Sequence, residues 1–136
     1  MNVVLDAEAF SALAGQASIR KQKVRRILRT AQRLNRDVSV PSLVLAELYR
    51  GRGHNQLVDA CLSRESPSLD TRDTDRDLAR LVGGVLAAAG ADSTLIVDAH
   101  VVAAAGESGG GVVVTGDEAD LTRLAAPYPH IVVEPI

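Results

Sequence analysis

Residues 112–117 (VVVTGD) form an apolar, β-branched run that ends in a threonine, a glycine and a carboxylate. Residues 3–6 (VVLD) have a similar arrangement near the start of the chain. Continuously apolar runs are typical of strands buried on both faces of a parallel sheet, because a solvated face would require alternating polar residues. Ligands bind beyond the carboxyl ends of such strands, so we expect Asp6 and Asp117 to lie at one functional edge.

Helical patterns separate these runs, as they do in α/β domains. The predicted strands are 3–5, 38–40, 112–115 and 131–133, and the predicted helices are 19–35, 43–50, 55–64, 78–89 and 93–105, with residues 70–77 as a polar lead into the fourth helix. The chain has 136 residues, a length that fits one domain. We therefore predict a single α/β domain over residues 1–136, with helices on both faces of its sheet.

Composition excludes several classes of protein. One cysteine, Cys61, rules out an internal disulfide framework and a multi-cysteine zinc or iron–sulfur site, and we expect it to be a small core residue. The chain has only three aromatic residues, too few for the stacking platforms that grip single-stranded bases. No apolar run approaches the roughly 20 residues of a membrane span. The N-terminal residues lack the pattern of a signal peptide, so we expect a cytoplasmic protein.

Four acidic residues stand in apolar surroundings. Asp6 and Asp117 follow strands, whereas Glu47 and Asp98 lie on helical segments with little other polarity. Taken singly, the first two could be helix caps and the others could be neutralised by arginines such as Arg50. Taken together, the four have one economical explanation, which is a shared divalent cation.

The donor chemistry narrows the choice of metal. All four candidates offer hard oxygen ligands, and the chain has no second cysteine and no histidine pair at ligand spacing, so Mg²⁺ or Mn²⁺ is favoured over Zn²⁺. Asp120 follows Asp117 by three residues and could supply a further ligand or support the others. A site of this kind serves phosphoryl chemistry, since the metal activates water and stabilises charge on a phosphate.

These residues occur in segments that resemble the PIN-domain ribonucleases, and most closely the VapC-type toxins of bacterial toxin–antitoxin pairs. The segments are Asp6 after its strand, 41–51 (PSLVLAELYRG), 97–100 (VDAH) and 113–120 (VVTGDEAD). Each motif is weak alone, but their order and separations over nearly the whole chain are fairly specific. The sequence departs from the family at Ala7, where a threonine or serine is usual, and Glu8 follows it.

The resemblance implies a three-layer α/β/α sandwich with a short, mainly parallel central sheet. It also implies that Asp6, Glu47, Asp98 and Asp117 bind Mg²⁺ or Mn²⁺ and hydrolyse RNA, in a homodimer silenced by a cognate antitoxin. The alternative is a non-catalytic module of the same fold that binds nucleic acid or protein. A phosphoacceptor receiver domain is disfavoured, because it needs a lysine near its last strands and this chain has none after Lys23.

The charge distribution is uneven. The formal net charge is −2, yet residues 1–54 carry +6 and the remaining 82 residues carry −8. Four arginines recur at helical spacing in the basic part, namely Arg25, Arg29, Arg33 and Arg36. We expect this stripe to contact either an RNA backbone or an acidic antitoxin segment. Arg50 and Arg52, which flank Glu47, could hold phosphate.

Overall fold

One five-stranded sheet organises the protein, which we describe from a computed structural model of residues 1–136. The strands are β1 (Asn2–Leu5), β2 (Val38–Pro41), β3 (Asp70–Arg72), β4 (Gly111–Thr115) and β5 (Ile131–Pro135). They lie in the order β3-β2-β1-β4-β5, and every neighbouring pair is parallel. The parallel sheet predicted from the apolar runs is confirmed.

Helices cover both faces of this sheet. They are α1 (Ala7–Ala14), α2 (Ile19–Arg33), α3 (Ser42–Leu48), α4 (Arg52–Glu65), α5 (Arg76–Ala89), α6 (Ile96–Gly106) and α7 (Glu118–Ala125). Helix α6 packs across β1, β2 and β4 beside α5 and α7, while α1 contacts β1 and β4 and packs against α2, α3 and α4. Because both faces are covered, Val3, Val4 and Leu5 are all buried. The predicted three-layer α/β/α sandwich is confirmed.

The chain changes direction across the sheet at β1. From β1 it continues through β2 to β3 at one edge, and it then crosses to the other side of β1, where β4 and β5 lie. Leu5 pairs with Val114, so the carboxyl ends of β1 and β4 are adjacent and level. This boundary is the topological switch point, the place where sheets of this type bind ligands.

Several elements differ from the sequence-based prediction, and helices α1 and α7 are additions to the predicted ranges. Strand β3 occupies Asp70–Arg72, where the sequence predicts only a polar lead into a helix, because this edge strand is polar and largely exposed. The predicted helix 93–105 begins as a 3₁₀ turn over Ser93–Leu95 and becomes α-helical at Ile96. Helix α4 begins three residues earlier than predicted, directly after Gly51 at a φ of 106°.

The interior agrees with the composition. Cys61 is fully buried in the core, as predicted for a small apolar residue. Gly90 ends α5 in the left-handed conformation, at a φ of 60°, which favours glycine. None of the helices combines the length and the apolar character that crossing a membrane requires.

The basic stripe predicted on α2 is only partly correct. Arg25 is paired, because its guanidinium donates to both carboxylate oxygens of Glu65 on α4, each at 3.0 Å. Helix α2 ends at Arg33, so Arg36 lies beyond the helix and outside the stripe. Of the four predicted members, Arg29 and Arg33 remain on the exposed face of α2 without a carboxylate partner.

Candidate active site

Asp6 is held at the switch point by backbone contacts on both sides. Its amide N–H donates to the carbonyl oxygen of Val114 at 3.0 Å, which ties the end of β1 to β4. Its carboxylate accepts a hydrogen bond from the amide of Ala9 at 2.8 Å and so caps α1. The residue is only 5% exposed. Asp6 is therefore a helix cap, as one interpretation of the sequence predicts, and also a buried carboxylate at the ligand-binding edge.

Asp117 occupies the capping position of α7 without acting as a cap. Its side chain makes no capping hydrogen bond, although the position is the one where aspartate usually does. The turn is held instead by the hydroxyl of Thr115. This hydroxyl accepts a hydrogen bond from the amide of Asp117 and donates one to the carbonyl oxygen of Asp117, both at 2.9 Å. The carboxylate of Asp117 is left exposed and available to a ligand.

The other three candidate acids come from three helices. Asp98 lies in the first turn of α6 and Asp120 in the first turn of α7, where the positive end of the helix dipole favours an anion. Both are partly buried. Glu47 lies in the last turn of α3, where the dipole disfavours an anion, and it is exposed.

Asp98 lies close enough to the other four carboxylates for their charges to raise its pKa. Burial, together with repulsion by Asp120, Asp6, Glu47 and Asp117 in decreasing order, raises the pKa of Asp98 to about 6. Burial also raises the pKa of Asp6, against backbone hydrogen bonds such as the one from the Ala9 amide, which lower it. The structure thus brings together every acid that the sequence suggested, including Asp120.

No cation in the chain neutralises this group of acids. Each of the five ion pairs in the structure lies elsewhere, and none includes a carboxylate of the group. Arg50, which could have neutralised Glu47, instead donates to the backbone oxygens of Ala46 and Tyr49. Clustered carboxylates that lack a cationic side chain have the charge pattern of a site for an external cation.

The residues fit a hard divalent cation by their chemistry. No three acidic, histidine or cysteine side chains are already arranged as ligands of one ion. Mg²⁺, however, usually binds through only one or two carboxylates and keeps several waters. The available donors are all carboxylate oxygens, which suit Mg²⁺ or Mn²⁺.

The PIN domain family model matches residues 3–127. The chain belongs to the PIN domain family. Among curated proteins, no relative matches.

Two solved structures resemble this PIN domain over nearly its whole length. VapBC2 from Rickettsia felis, crystallised with a DNA fragment from its promoter, is 16% identical, with 100% of this chain and 99% of that chain covered and a TM-score of 0.66. VapBC-5 from Mycobacterium tuberculosis, a member of the VapBC family of toxin–antitoxin systems, is 18% identical, with coverages of 99% and 98% and a TM-score of 0.51. At these identities the likeness concerns the fold.

Glu8 and Arg20 form a pair at the margin of the site, which the sequence does not predict. Glu8 lies against Gly116, so closely that a Cβ on Gly116 would collide with its side chain. Arg20, at the start of α2, reaches the Glu8 carboxylate at 3.4 Å and the carbonyl oxygen of Gly116 at 3.3 Å. No sequence signal predicts this contact, because Arg20 and Gly116 are 96 residues apart. Glu8 is thus partly neutralised at the margin of the PIN-domain site.

An open recess of about 340 Å³ borders Glu47, between α1, α3 and α4. Phe10 forms part of its apolar wall, and Ser11, Arg50 and His54 supply polar groups. Ser11 is the hydroxyl nearest to Asp6 in the sequence after Ala7, and here it lines this recess. The recess therefore adds hydrogen-bonding groups and one guanidinium beside Glu47 of the PIN domain.

Proposed function

We propose that the chain is a Mg²⁺- or Mn²⁺-dependent endoribonuclease of the VapC toxin type, which cleaves RNA by phosphodiester hydrolysis. The observation that carries this proposal is the proximity of five carboxylates near the switch point, none of which is paired with a cationic side chain. Membership of the PIN domain family supports nuclease activity. We assign the catalytic and metal-binding roles to Asp6, Glu47, Asp98 and Asp117, with Asp120 as an additional metal-binding residue.

The group of acids suits hydrolysis of a phosphodiester. When bound, a divalent cation would supply Lewis-acid chemistry, by activating water and stabilising charge on the scissile phosphate. The chain's own residues prepare the position for it. The Ala9 amide holds Asp6, and the Thr115 turn leaves the Asp117 carboxylate free. Burial and repulsion make the ionised form of Asp98 unfavourable until a cation is present.

Positive groups near Glu47 would hold the substrate. Arg50 is exposed and lines the recess beside Glu47, and Arg52 begins α4 on the far side of Gly51. A guanidinium matches the oxygens of a phosphate in a bidentate geometry. Arg50 and Arg52 are therefore our candidates for orienting the phosphates that flank the scissile bond.

The toxin assignment adds protein partners to the RNA substrate. Both similar structures are of VapBC toxin–antitoxin systems. By analogy we propose that a cognate antitoxin inhibits this chain and that the chain forms a homodimer. Copurification with the product of a neighbouring gene, followed by measurement of mass in solution, tests both partners.

Cleavage of RNA by the purified chain tests the proposal. With Mg²⁺ or Mn²⁺ present, the unmodified chain should cleave RNA, and a chelator should abolish the activity. Asp6→Ala and Asp98→Asn should each reduce cleavage by at least about 10²-fold while the circular dichroism spectrum stays unchanged. Asp77→Asn is the matched control, because Asp77 also lies in the first turn of a helix, is exposed and takes part in no ion pair.

The same experiment separates the enzyme from a non-catalytic binding module. Full activity in either variant of the acidic group would reject the assignment of these residues. Metal-independent RNA binding without cleavage by the unmodified chain, in both Mg²⁺ and Mn²⁺, would favour the binding module.

A further inference from the structure

The outer face of α2 carries a row of free arginines. Val24, Leu28 and Ala31 are the buried residues of this helix, and they define the face that packs on the protein. On the opposite side Arg26, Arg29 and Arg33 are exposed at spacings of three and four residues. Three cationic groups therefore recur about once per turn, roughly every 5 Å along the helix.

The three arginines have no carboxylate partner. The ion pairs of α2 involve Arg20 and Arg25, and no other residue of the helix. Arg29 donates only to the carbonyl oxygen of Arg25, and Arg33 only to the hydroxyl of Thr30. The positive charge of this face is therefore not offset within the chain.

The row leads away from the acidic site. Arg20, in the first turn of α2, contacts the carbonyl oxygen of Gly116, which precedes Asp117. From Arg20, the positions of Arg26 and Arg33 are about 9 and 20 Å further along the helix axis, at 1.5 Å per residue. At 3.6 residues per turn Arg20 lies about 120–180° around the helix from these arginines, so a strand whose scissile phosphate lies at the acids would reach this face by passing around the first turns of α2.

The surface between the arginines has the chemistry of a nucleic-acid contact. A shallow recess there is lined by Arg26, Arg29, Thr30, Gln32 and Arg33, with no apolar residue. Protein partners usually require an apolar centre with few charges, whereas nucleic-acid interfaces are polar and strongly positive. Guanidinium groups also match phosphate oxygens in a bidentate geometry.

We infer that Arg26, Arg29 and Arg33 form a track for the RNA backbone, which binds phosphates distant from the cleaved bond. The inference rests on the proposed ribonuclease function. It adds the path that the RNA takes over the protein surface and the residues that bind it there. Phosphate contacts of this kind carry affinity and position the substrate, and they contribute no base selectivity. A substrate that extends along α2 would bind more tightly than one that spans only the acidic site.

The salt dependence of RNA binding tests the track. A labelled RNA hairpin is titrated with the full chain carrying Asp98→Asn, so that cleavage does not intervene, with and without Arg29→Gln and Arg33→Gln. Each phosphate contact contributes about 0.7–0.9 to the slope of log affinity against log salt, so removal of two should reduce the slope by roughly 1.4–1.8. In the active chain, the same pair of substitutions should raise KM and leave kcat nearly unchanged.

Arg76→Gln with Arg80→Gln provides the matched control. Both are exposed, lie four residues apart on a helix and have no ion pair, and α5 packs against α6 and α7 instead of α1. This pair removes the same charge from another surface and should leave the slope unchanged. Arg29→Lys with Arg33→Lys keeps the charge and should restore most of the slope.

An unchanged slope in the Arg29 and Arg33 glutamine variant, or an equal loss in the α5 control, would overturn the track. If the Arg29 and Arg33 glutamine variant kept its RNA affinity but lost binding of a poly-glutamate peptide, the surface would belong to an acidic protein partner. This result would also overturn the RNA track. Neither result affects the proposed function, because cleavage that depends on Asp98 would persist. If cleavage did not depend on Asp98, the proposed function would be rejected, whatever the slope of RNA affinity against salt.

Discussion

Asp120 is the acidic neighbour that acts most strongly on Asp98, although the two residues belong to different helices. Helices α6 and α7 pack together, and each contributes an acid from its first turn. The helix dipoles favour both anions separately, yet their proximity makes the pair repulsive. The two carboxylates therefore interact electrostatically across the contact between α6 and α7.

Replacement of Asp120 by asparagine should lower the pKa of Asp98 below its value of about 6, because the largest repulsive charge is removed. Carboxyl carbon chemical shifts measured against pH report this pKa directly. Glu118→Gln is the matched control, since Glu118 is exposed in the same turn of α7. An equal shift in both variants would show that Asp120 has no special proximity to Asp98.

Replacement of Asp98 by asparagine should stabilise the metal-free protein above pH 6. The folded-state pKa of about 6 exceeds the ordinary value of 3.8, so the folded chain binds more protons than the unfolded chain between these pH values. Stability therefore falls as pH rises through this range, and the loss is complete above it. The full shift would correspond to about 3 kcal/mol, since one pKa unit is ~1.4 kcal/mol, and solvent screening of this half-buried carboxylate makes the loss smaller.

Thermal unfolding in a chelator measures this effect. At pH 7.5 the Asp98→Asn variant should melt several degrees above the unmodified chain, and the difference should vanish below about pH 3, where Asp98 is protonated in both the folded and the unfolded state. Added Mg²⁺ should raise the melting temperature of the unmodified chain and leave the variant nearly unchanged. A variant that melts lower at pH 7.5 would mean that the carboxylate stabilises the fold.

The edge of the sheet that carries the site could be predicted from the sequence. The runs that end in Asp6 and Asp117 are continuously apolar, and parallel strands place their carboxyl ends together. Glu47 and Asp98 were conspicuous because their neighbours in the sequence are apolar. The apolar pattern in the sequence was thus clearest in the elements that carry the acids of the site.

Other features depend on contacts between residues far apart in the sequence, which local sequence patterns do not predict. Strand β3 is polar because it is a short edge strand, so it lacks the apolar signal of the central strands. Arg25 is neutralised by Glu65, which is 40 residues away in the sequence, and the spacing of the arginines on α2 could not show this pairing. The contact of Arg20 with Gly116 is equally non-local.

Replacement of Gly116 by alanine should destabilise the protein and reduce cleavage. The added Cβ would collide with the Glu8 carboxylate and would lie 2.8 Å from the Cβ of Glu8, so the loop before Asp117 must move. Overpacking of this kind costs about 1–3 kcal/mol. Denaturant unfolding and RNA cleavage measure the two effects.

The double variant Gly116→Ala with Glu8→Ala provides the control. It removes the colliding carboxylate but keeps a Cβ at position 8, so it should recover part of the stability and of the activity. Failure to recover either would show that the contact with Glu8 is not the cause of the loss.

Replacement of Arg25 by glutamine should reduce stability and leave RNA binding nearly intact. Its partner Glu65 has a side chain that is only 9% exposed, and it keeps only the contact with Arg64 when Arg25 is removed. A partly buried pair of this kind contributes about 1 kcal/mol. Denaturant unfolding should show the loss, while the slope of RNA affinity against salt should match that of the unmodified chain. The reverse pattern would place Arg25 on the RNA-binding face.

Calorimetric titration of Mn²⁺ into the metal-free chain at pH 7.5 tests most directly the claim that the group of acids is a cation site. The unmodified chain and the Asp77→Asn control should bind Mn²⁺ with the same affinity. Asp98→Asn should weaken binding by at least about tenfold, equivalent to a loss of ~1.4 kcal/mol. Equal Mn²⁺ affinity in the Asp98→Asn variant and the unmodified chain would contradict the account.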